Sequence, residues 1–180
     1  MGKLDGKVAF ISGGARGQGR SHAIRLAEEG ADIATFDICG QIATVPYPMA
    51  TPEDLEQTVK EVEALGRRIV ARQADVRDVD AVRAVFQEGW NELGPIQIVS
   101  ANAGIGVGGD TDQDWHDVLD VNLTGVWNTV RVTIPPMIEH GDGGSIIITS
   151  STGGLVGLPT SEAGLLSYIC LLYTSDAADE

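Results

Sequence analysis

A glycine-rich segment near the start of the chain has the composition of a phosphate-binding turn. Residues 12–19 read SGGARGQG, between an apolar run and a helical pattern. Glycines at such a turn let the backbone approach a pyrophosphate, which then lies at the helix N-terminus. Asp37 follows Gly19 by 18 residues and ends the next apolar run, where a carboxylate can bind a ribose diol and repel a 2′-phosphate. The spacing therefore favours dinucleotide binding, with NAD as cofactor, over a tight turn without ligand.

The same segment is one residue away from a second nucleotide-binding pattern. Residues 14–21 read GARGQGRS, which is the P-loop pattern except that Arg20 stands where a lysine would reach the terminal phosphates. Arginine does not replace lysine well in that role. Asp37 could then pass for the Walker B acid. A P-loop NTPase is therefore an alternative interpretation of this segment.

A repeating order of apolar runs and helical patterns surrounds these residues. The apolar runs predict strands at residues 7–12, 31–36, 68–74, 96–100 and 145–149. Helical patterns separate them at residues 19–29, 53–65, 79–93 and 111–139. Strands that alternate with helices at this spacing predict an α/β fold with a parallel sheet and right-handed crossovers.

Local signals mark several helix ends and one unusual connection. Thr51 predicts an N-cap, and Asp78 predicts another. Pro135 and Pro136 predict a bend or break in the fourth helical region. Residues 38–50 are long for a strand-to-helix connection, and such loops are more often functional or disordered than filler. The apolar side chains of this loop favour a packed cover over a mobile surface excursion; they include Ile42, Val45, Tyr47 and Met49.

Composition and charge exclude several classes of partner. The chain has 180 residues, with 26 acidic against 12 basic side chains and a formal net charge of −14. This balance argues against a nucleic acid or an anionic membrane as partner. Two cysteines are too few for a disulfide scaffold, and three scattered histidines predict no metal site. No signal peptide or membrane-spanning run is recognised, so we expect a cytoplasmic protein.

Six motifs in chain order resemble the short-chain dehydrogenase/reductase family. Residues 12–19 are similar to its glycine turn, residues 75–76 (DV) to its adenine-contacting dipeptide, and residues 102–104 (NAG) to the motif that supports the sheet beside the cofactor. Three further matches fall on the family's catalytic positions. By this resemblance the catalytic residues would be Asn122, Ser151 and Tyr168, and the cofactor would contact Gly13, Arg16, Gly17, Gln18, Gly19, Asp37, Ile38, Asp75, Val76, Asn102, Ala103 and Gly104.

The resemblance implies transfer of a hydride between NAD and an alcohol or ketone. Tyr168 would take the hydroxyl proton, Ser151 would hydrogen-bond the substrate oxygen, and Asn122 would hold a water molecule. Each residue also has a plain structural alternative. Tyr168 could be a core aromatic, Ser151 a loop cap, and Asn122 a polar helix residue with a backbone partner. The family order of all three favours the catalytic interpretation.

A closer resemblance is to the mycofactocin-coupled, carveol-dehydrogenase-like subgroup. Its signature is similar to residues 37–55 and to residues 68–78, which read RIVARQADVRD. The subgroup implies a loop that covers the NAD and a peptide-derived redox carrier that recycles it. The resemblance also implies a Rossmann-type doubly wound sheet of strand order 3-2-1-4-5 and a homo-tetrameric full-length parent. The last two strands of the family's sheet would be missing, together with the loop that sets substrate specificity.

The end of the chain departs from the family pattern. The family places a lysine four residues after its tyrosine, where this sequence has Leu172. Residues 170–180 resemble the translated end of a transposon adapter used in sequencing libraries. We therefore expect residues 1–169 to be the N-terminal two-thirds of an NAD-binding Rossmann domain, followed by a non-native tail. An inactive fragment follows from this interpretation, and a non-catalytic dinucleotide sensor or pseudoenzyme is the alternative that Leu172 supports.

Overall fold

A single parallel sheet organises the molecule. The computed structural model describes residues 2–154 and 163–176, with side chains of the last helix described as far as Ile169. The strands are β1 (Val8–Ser12), β2 (Asp32–Asp37), β3 (Ile69–Gln73), β4 (Ile98–Ala101) and β5 (Ser145–Ile148). All neighbouring pairs are parallel, and the order is β3-β2-β1-β4-β5. This order confirms the predicted Rossmann-type α/β fold.

Helices connect successive strands and cover both faces of the sheet. They are α1 (Gly17–Glu28), α2 (Pro52–Ala64), α3 (Val79–Leu93), α4 (Asp112–Leu119), α5 (Val126–His140) and α6 (Ala163–Asp176). Thr51 caps α2 through a reciprocal pair of hydrogen bonds with Asp54, and the Asp78 carboxylate caps α3. These caps confirm the two predicted helix starts, because side-chain acceptors satisfy backbone N–H groups that have no partner inside the helix.

The predicted break near the two prolines is wrong. Pro135 and Pro136 lie inside α5, whereas the long helical region is interrupted earlier by a π-helical segment, Asp120–Gly125. Each proline removes one backbone N–H that would donate to the preceding turn. The helix nevertheless continues past the prolines for one further turn, to His140. The π segment instead coincides with Asn122, whose side chain bonds the backbone of Ile105.

Alternating strand residues build a separate core on each face of the sheet. Phe10 points to the face under α3 and α5, where its ring lies 5.5 Å from that of Phe36 and 5.6 Å from that of Phe86. Ala9 and Ile11 point to the opposite face, under α1 and α2. This alternation follows from the period of two along a strand, and it leaves β1, β2 and β4 buried on both faces.

The fifth strand is much less covered than the others. Within the described residues β5 pairs with β4 and with no other strand. Ile147 is 48% exposed and Ile148 is 55% exposed. The described sheet therefore has an apolar edge at β5.

α6 packs on α4, with Ser167 and Ile169 buried. Of the predicted tail, residues 177–180 lie outside the described residues, and the backbone of residues 170–176 continues α6. No helix in the described ranges combines the length and the apolar character needed to span a bilayer.

Candidate functional site

A cavity of about 420 Å³ lies where the strands reach their carboxyl ends. Segments that follow each of the five strands contribute to its lining, as in open α/β sheets that bind ligands at this edge. All predicted site residues lie in the described part of the chain, and Gly19 and Ser151 are the two that do not line the cavity. The predicted residues that line it are Gly13, Arg16, Gly17, Gln18, Asp37, Ile38, Asp75, Val76, Asn102, Ala103, Gly104, Asn122 and Tyr168.

The glycine turn is tightly folded against its neighbours. Gly13 has a φ of +74°, and its N–H donates to the Phe36 carbonyl over 2.8 Å. A Cβ at position 19 would lie 2.0 Å from the carbonyl oxygen of Gly13. Gly19 therefore packs beneath the turn, which explains why it supports the cavity without lining it.

The start of α1 faces the cavity with its backbone donors available. Arg16 is the N-cap residue, and within the described chain its side chain makes no capping hydrogen bond. The first turn, which begins at Gly17, contains no acidic residue. Uncapped N–H groups and the positive end of the helix dipole make this position suited to a phosphate or pyrophosphate.

Asp37 places a buried carboxylate beside the glycine turn. It is 8% exposed and accepts hydrogen bonds from the N–H groups of Ala15, at 3.1 Å, and Cys39, at 3.2 Å. Each carboxylate oxygen keeps lone pairs for a further donor. Asp37 can therefore accept hydrogen bonds from a sugar diol while the turn holds it in place.

Cys39 lies next to this carboxylate in an unreactive setting. Burial raises the pKa of its thiol from 9.0 to about 11, with a further contribution from the negative charge of Asp37. A neutral thiol is a poor nucleophile. The geometry therefore gives Cys39 a packing role at neutral pH.

The connection between β2 and α2, here called the cover loop (residues 38–50), is packed over the cavity. Ile42 and Val45 are buried in the core. Gln41 donates to backbone carbonyls of the loop itself, including that of Val45 at 2.9 Å. The Tyr47 hydroxyl accepts from the Gly106 N–H at 3.1 Å. The loop is therefore a packed element, as its apolar composition predicted.

Arg77, which the sequence interpretation did not assign, supports the site by binding Asp75, a residue that lines the cavity. Its guanidinium binds Asp75 with Nε at 2.9 Å and Nη2 at 2.6 Å from Oδ2. The carboxylates of Asp75, Asp117 and Asp120 raise the pKa of Arg77, with the hydrogen bond to Asp75 as the largest cause. The spacing Asp-x-Arg was the available signal, because residues two apart at a strand end can share one turn.

The residues after β4 join three strands. Asn102 and Ala103 donate their N–H groups to the hydroxyl of Ser12 at 3.0 Å each, and Asn102 Nδ2 donates to the Ser12 carbonyl at 3.1 Å. The Asn102 amide oxygen also accepts from the Thr149 hydroxyl at 3.4 Å. Asn102 therefore fixes the ends of β1, β4 and β5 around the cavity.

The three predicted catalytic residues occupy different settings. Asn122 accepts from the N–H of Ile105 and donates to its carbonyl, both at 2.8 Å, which matches the structural alternative. The Ser151 hydroxyl accepts from the Gly153 N–H at 3.2 Å, which matches a loop cap. Asn122 uses one donor and one acceptor in these contacts and Ser151 uses one acceptor, and the catalytic roles remain predictions.

Gly153 brings Ser151 and Tyr168 into one neighbourhood. A Cβ on Gly153 would lie 3.4 Å from the Tyr168 ring and 3.7 Å from the Ser151 hydroxyl oxygen. Tyr168 lies on α6 and lines the cavity. Position 172 follows Tyr168 by one helical turn. The Ser151 hydroxyl and the Tyr168 ring therefore both lie beside Gly153, and of these two side chains Tyr168 is the one that lines the cavity.

The geometry disfavours the P-loop interpretation. Arg20 directs its guanidinium to the carbonyls of Ala15 and Asp54 and to the Thr58 hydroxyl. Among the described residues that line the cavity, Arg20 is absent. The position of the P-loop lysine is therefore occupied by a side chain that joins α1 to α2. No group of three potential metal ligands occurs among the described side chains.

Comparisons with known proteins agree with this architecture. The model of the short chain dehydrogenase family matches residues 7–163. An uncharacterized oxidoreductase of Mycobacterium tuberculosis is 56% identical over 165 residues, which are 92% of this chain and 61% of that protein. The (−)-trans-carveol dehydrogenase of Rhodococcus erythropolis is 46% identical over 162 residues, which are 87% of this chain and 58% of that protein.

A solved structure shares the fold closely. The crystal structure of carveol dehydrogenase from Mycobacterium avium in complex with NAD has a TM-score of 0.92 and 48% sequence identity. The match covers 99% of this chain and 65% of that one. The chain thus spans about three fifths of the length of the two relatives.

Proposed function

The chain belongs to the short-chain dehydrogenase family, and we propose that it forms the NAD-binding part of an oxidoreductase acting on a small alcohol or ketone. The observation that carries this proposal is the pairing of the uncapped start of α1 with the Asp37 carboxylate at one end of the cavity. A pyrophosphate fits the first group and a ribose diol fits the second. The NAD complex of the similar carveol dehydrogenase supports the same cofactor here.

Bound NAD would supply a carbon that accepts or returns a hydride. The chain's own residues would bind and orient both reactants. Ser151 accepts a hydrogen bond from Gly153, and its own O–H would donate to a substrate oxygen. Tyr168, beside the same glycine, would take the hydroxyl proton as the carbinol carbon is oxidised. Asn122, hydrogen-bonded to Ile105, would hold this part of the cavity wall in place.

The reaction centre would need a cation near the phenol. A free phenol has a reference pKa of about 10, so it is mostly protonated and cannot act as a base at neutral pH unless a positive charge stabilises the phenolate. The family's lysine would fall at position 172, where this sequence has leucine. We therefore propose that residues 1–169 are the N-terminal part of the enzyme and that the 180-residue chain binds NAD without turning over alcohol.

Substrate and redox partner follow from the relatives and from the cover loop. The (−)-trans-carveol dehydrogenase supports a small cyclic alcohol or its ketone as the substrate class of the full-length parent. The packed cover loop, with Tyr47 bonded to Gly106, supports slow cofactor exchange. Recycling by a mycofactocin-type carrier is proposed from the resemblance to the mycofactocin-coupled subgroup alone. The parent is proposed to be a homo-tetramer.

A non-catalytic dinucleotide sensor is the second candidate. It is favoured by Leu172 and by the backbone hydrogen bonds that already engage Asn122 and Ser151. DNA re-sequencing beyond codon 169 separates the two candidates. Lysine at position 172 supports the enzyme, whereas confirmed leucine supports the sensor.

Binding can be tested on the chain itself. NADH should raise the midpoint of thermal unfolding, because a ligand that binds only the folded state stabilises it. ATP with Mg²⁺ is the control for the P-loop interpretation and should give no shift. Protection by ATP alone, or reduction of NAD by the 180-residue chain with carveol, would contradict the proposal.

A further inference from the structure

Asp117 of α4 is a buried carboxylate that no step of the proposed reaction uses. It is 5% exposed, and a charge in such a place persists only where other groups compensate it. Thr44 Oγ1 donates to its Oδ2 at 2.6 Å, and Gln113 Nε2 donates to its Oδ1 at 2.9 Å. Arg77 Nη1 lies 3.6 Å from the same Oδ1.

Two of these partners come from different walls of the cavity. Thr44 belongs to the cover loop, 73 residues earlier in the chain than Asp117. Arg77 follows β3, and its Nε and Nη2 atoms hold the carboxylate of Asp75. One buried side chain on α4 therefore contacts the cover loop directly and reaches Asp75 through a single arginine.

The arginine can serve both carboxylates at once because its donors form a rigid planar fork. Nε and Nη2 face Asp75, while Nη1 faces Asp117. Asn128 adds a second restraint, since its Nδ2 donates to the carbonyls of Val76 and Arg77. If Asp117 were neutral, Arg77 would keep its hydrogen bonds to Asp75 through Nε and Nη2. It would lose the negative charge that faces its Nη1 atom.

We propose that Asp117 is a positioning residue for dinucleotide binding, which fixes the cover loop through Thr44 and the adenine-facing Asp75 through Arg77. This inference rests on the proposed binding of NAD. If the charge of Asp117 is removed, the cover loop and the segment around Asp75 should both become more mobile. Among the described residues, Asp117 is not one that lines the cavity.

Hydrogen–deuterium exchange on the ligand-free 180-residue chain tests the two connections separately. Asp117→Asn should speed exchange both in residues 38–50 and in residues 74–78. Thr44→Val, a near-isosteric change at a half-buried position, should speed exchange in residues 38–50 alone. Gln113→Ala is the matched control, because it removes a hydrogen bond to the same carboxylate without touching either wall. It should leave both segments unchanged.

NADH dissociation provides the functional readout. Loss of one charge-assisted hydrogen bond changes an equilibrium constant roughly tenfold. Asp117→Asn should therefore release NADH about tenfold faster than wild type, and the release rate of Thr44→Val should lie between those of wild type and Asp117→Asn. The double variant should match Asp117→Asn in the exchange of residues 38–50, since both changes break one connection. Exchange in α5 reports on general loss of structure and should stay constant.

The outcomes separate the inference from the function on which it rests. A wild-type chain that does not bind NADH would contradict the proposed function, while the exchange pattern would still decide the role of Asp117. Exchange and release rates of Asp117→Asn equal to those of wild type would overturn the inference. Faster exchange throughout α5 would also overturn it, because Asp117 would then be a general stabilising residue.

Discussion

The carbonyl oxygen of Gly13 occupies the space that a side chain at position 19 would need. A Cβ built on Gly19 would lie 2.0 Å from that oxygen and 2.9 Å from the amide nitrogen of Asn102. The closeness holds the first turn of α1 against the end of β1. The nearby Asn102 side chain also links the glycine turn to the residues that follow β4, which line the cavity.

Gly19→Ala should therefore destabilise the chain and abolish NADH binding. Forced overpacking costs about 1–3 kcal/mol of unfolding free energy, and movement of the turn removes the backbone donors that face the pyrophosphate. Denaturant unfolding and NADH titration measure the two effects. Gly40→Ala is the control, since a Cβ there would be in ordinary contact at 3.6 Å. Similar stability and NADH affinity in the two variants would contradict this account of Gly19.

Asp37→Asn should change the preference between the two nicotinamide cofactors. The amide can replace one of the two acceptors of Asp37 but not both, and it cannot repel a 2′-phosphate. The Kd for NADH should rise by at least about tenfold, as expected for loss of hydrogen bonds to a charged group. The Kd for NADPH should rise less, or fall.

A neutralised acid elsewhere controls for net charge. Asp80→Asn, on the exposed surface of α3, should leave both titrations unchanged. Equal weakening of NADH and NADPH by Asp37→Asn would show that Asp37 does not discriminate between them.

Cys39 should make stability depend on alkaline pH. Its thiol keeps its proton in the folded chain up to about pH 11, whereas the unfolded thiol ionises from about 9.0. Because the folded pKa is the higher one, the contribution to stability is complete below pH 9.0 and is lost as pH rises towards 11. The free energy of unfolding should fall more steeply over this window in wild type than in Cys39→Ala. Identical slopes would mean that Cys39 is not protected by burial.

The apolar edge of β5 should promote self-association. Ile147→Lys combined with Ile148→Lys places charges on an exposed edge strand, which opposes strand pairing between chains. Light scattering during concentration should decrease relative to wild type. Ile138→Lys, on the exposed surface of α5, is the matched control and should have little effect. Equal improvement by the control would assign the scattering to general surface hydrophobicity.

Local sequence was enough to predict the glycine turn and Asp37. Glycines directly after a strand and an acid at the end of the next strand act through short-range geometry, so their positions in the sheet follow from the strand order. The N-caps at Thr51 and Asp78 were predictable for the same reason, since the capping acceptor and donor are three residues apart or fewer.

The features that were missed depend on contacts between distant segments. Asn122 bonds Ile105 across the cavity wall, and no helix propensity predicts the π turn that contains it. Arg77 and Asp75 lie two residues apart in the sequence, but Asp117 on α4 comes close to Arg77 only in the folded chain. The two prolines, by contrast, gave a strong local signal for a helix break, yet α5 continues through Pro135 and Pro136 to His140.

Because α1 starts after Arg16 without a capping side chain, the residue at position 16 affects ligand binding and stability in opposite directions. An aspartate in place of Arg16 would accept the free N–H groups of the first turn and complement the helix dipole, which typically adds about 1 kcal/mol. The same carboxylate would stand where a pyrophosphate is expected and would repel it. Selection for thermal stability alone would therefore favour an acid at position 16, whereas binding of a pyrophosphate at the start of α1 disfavours one.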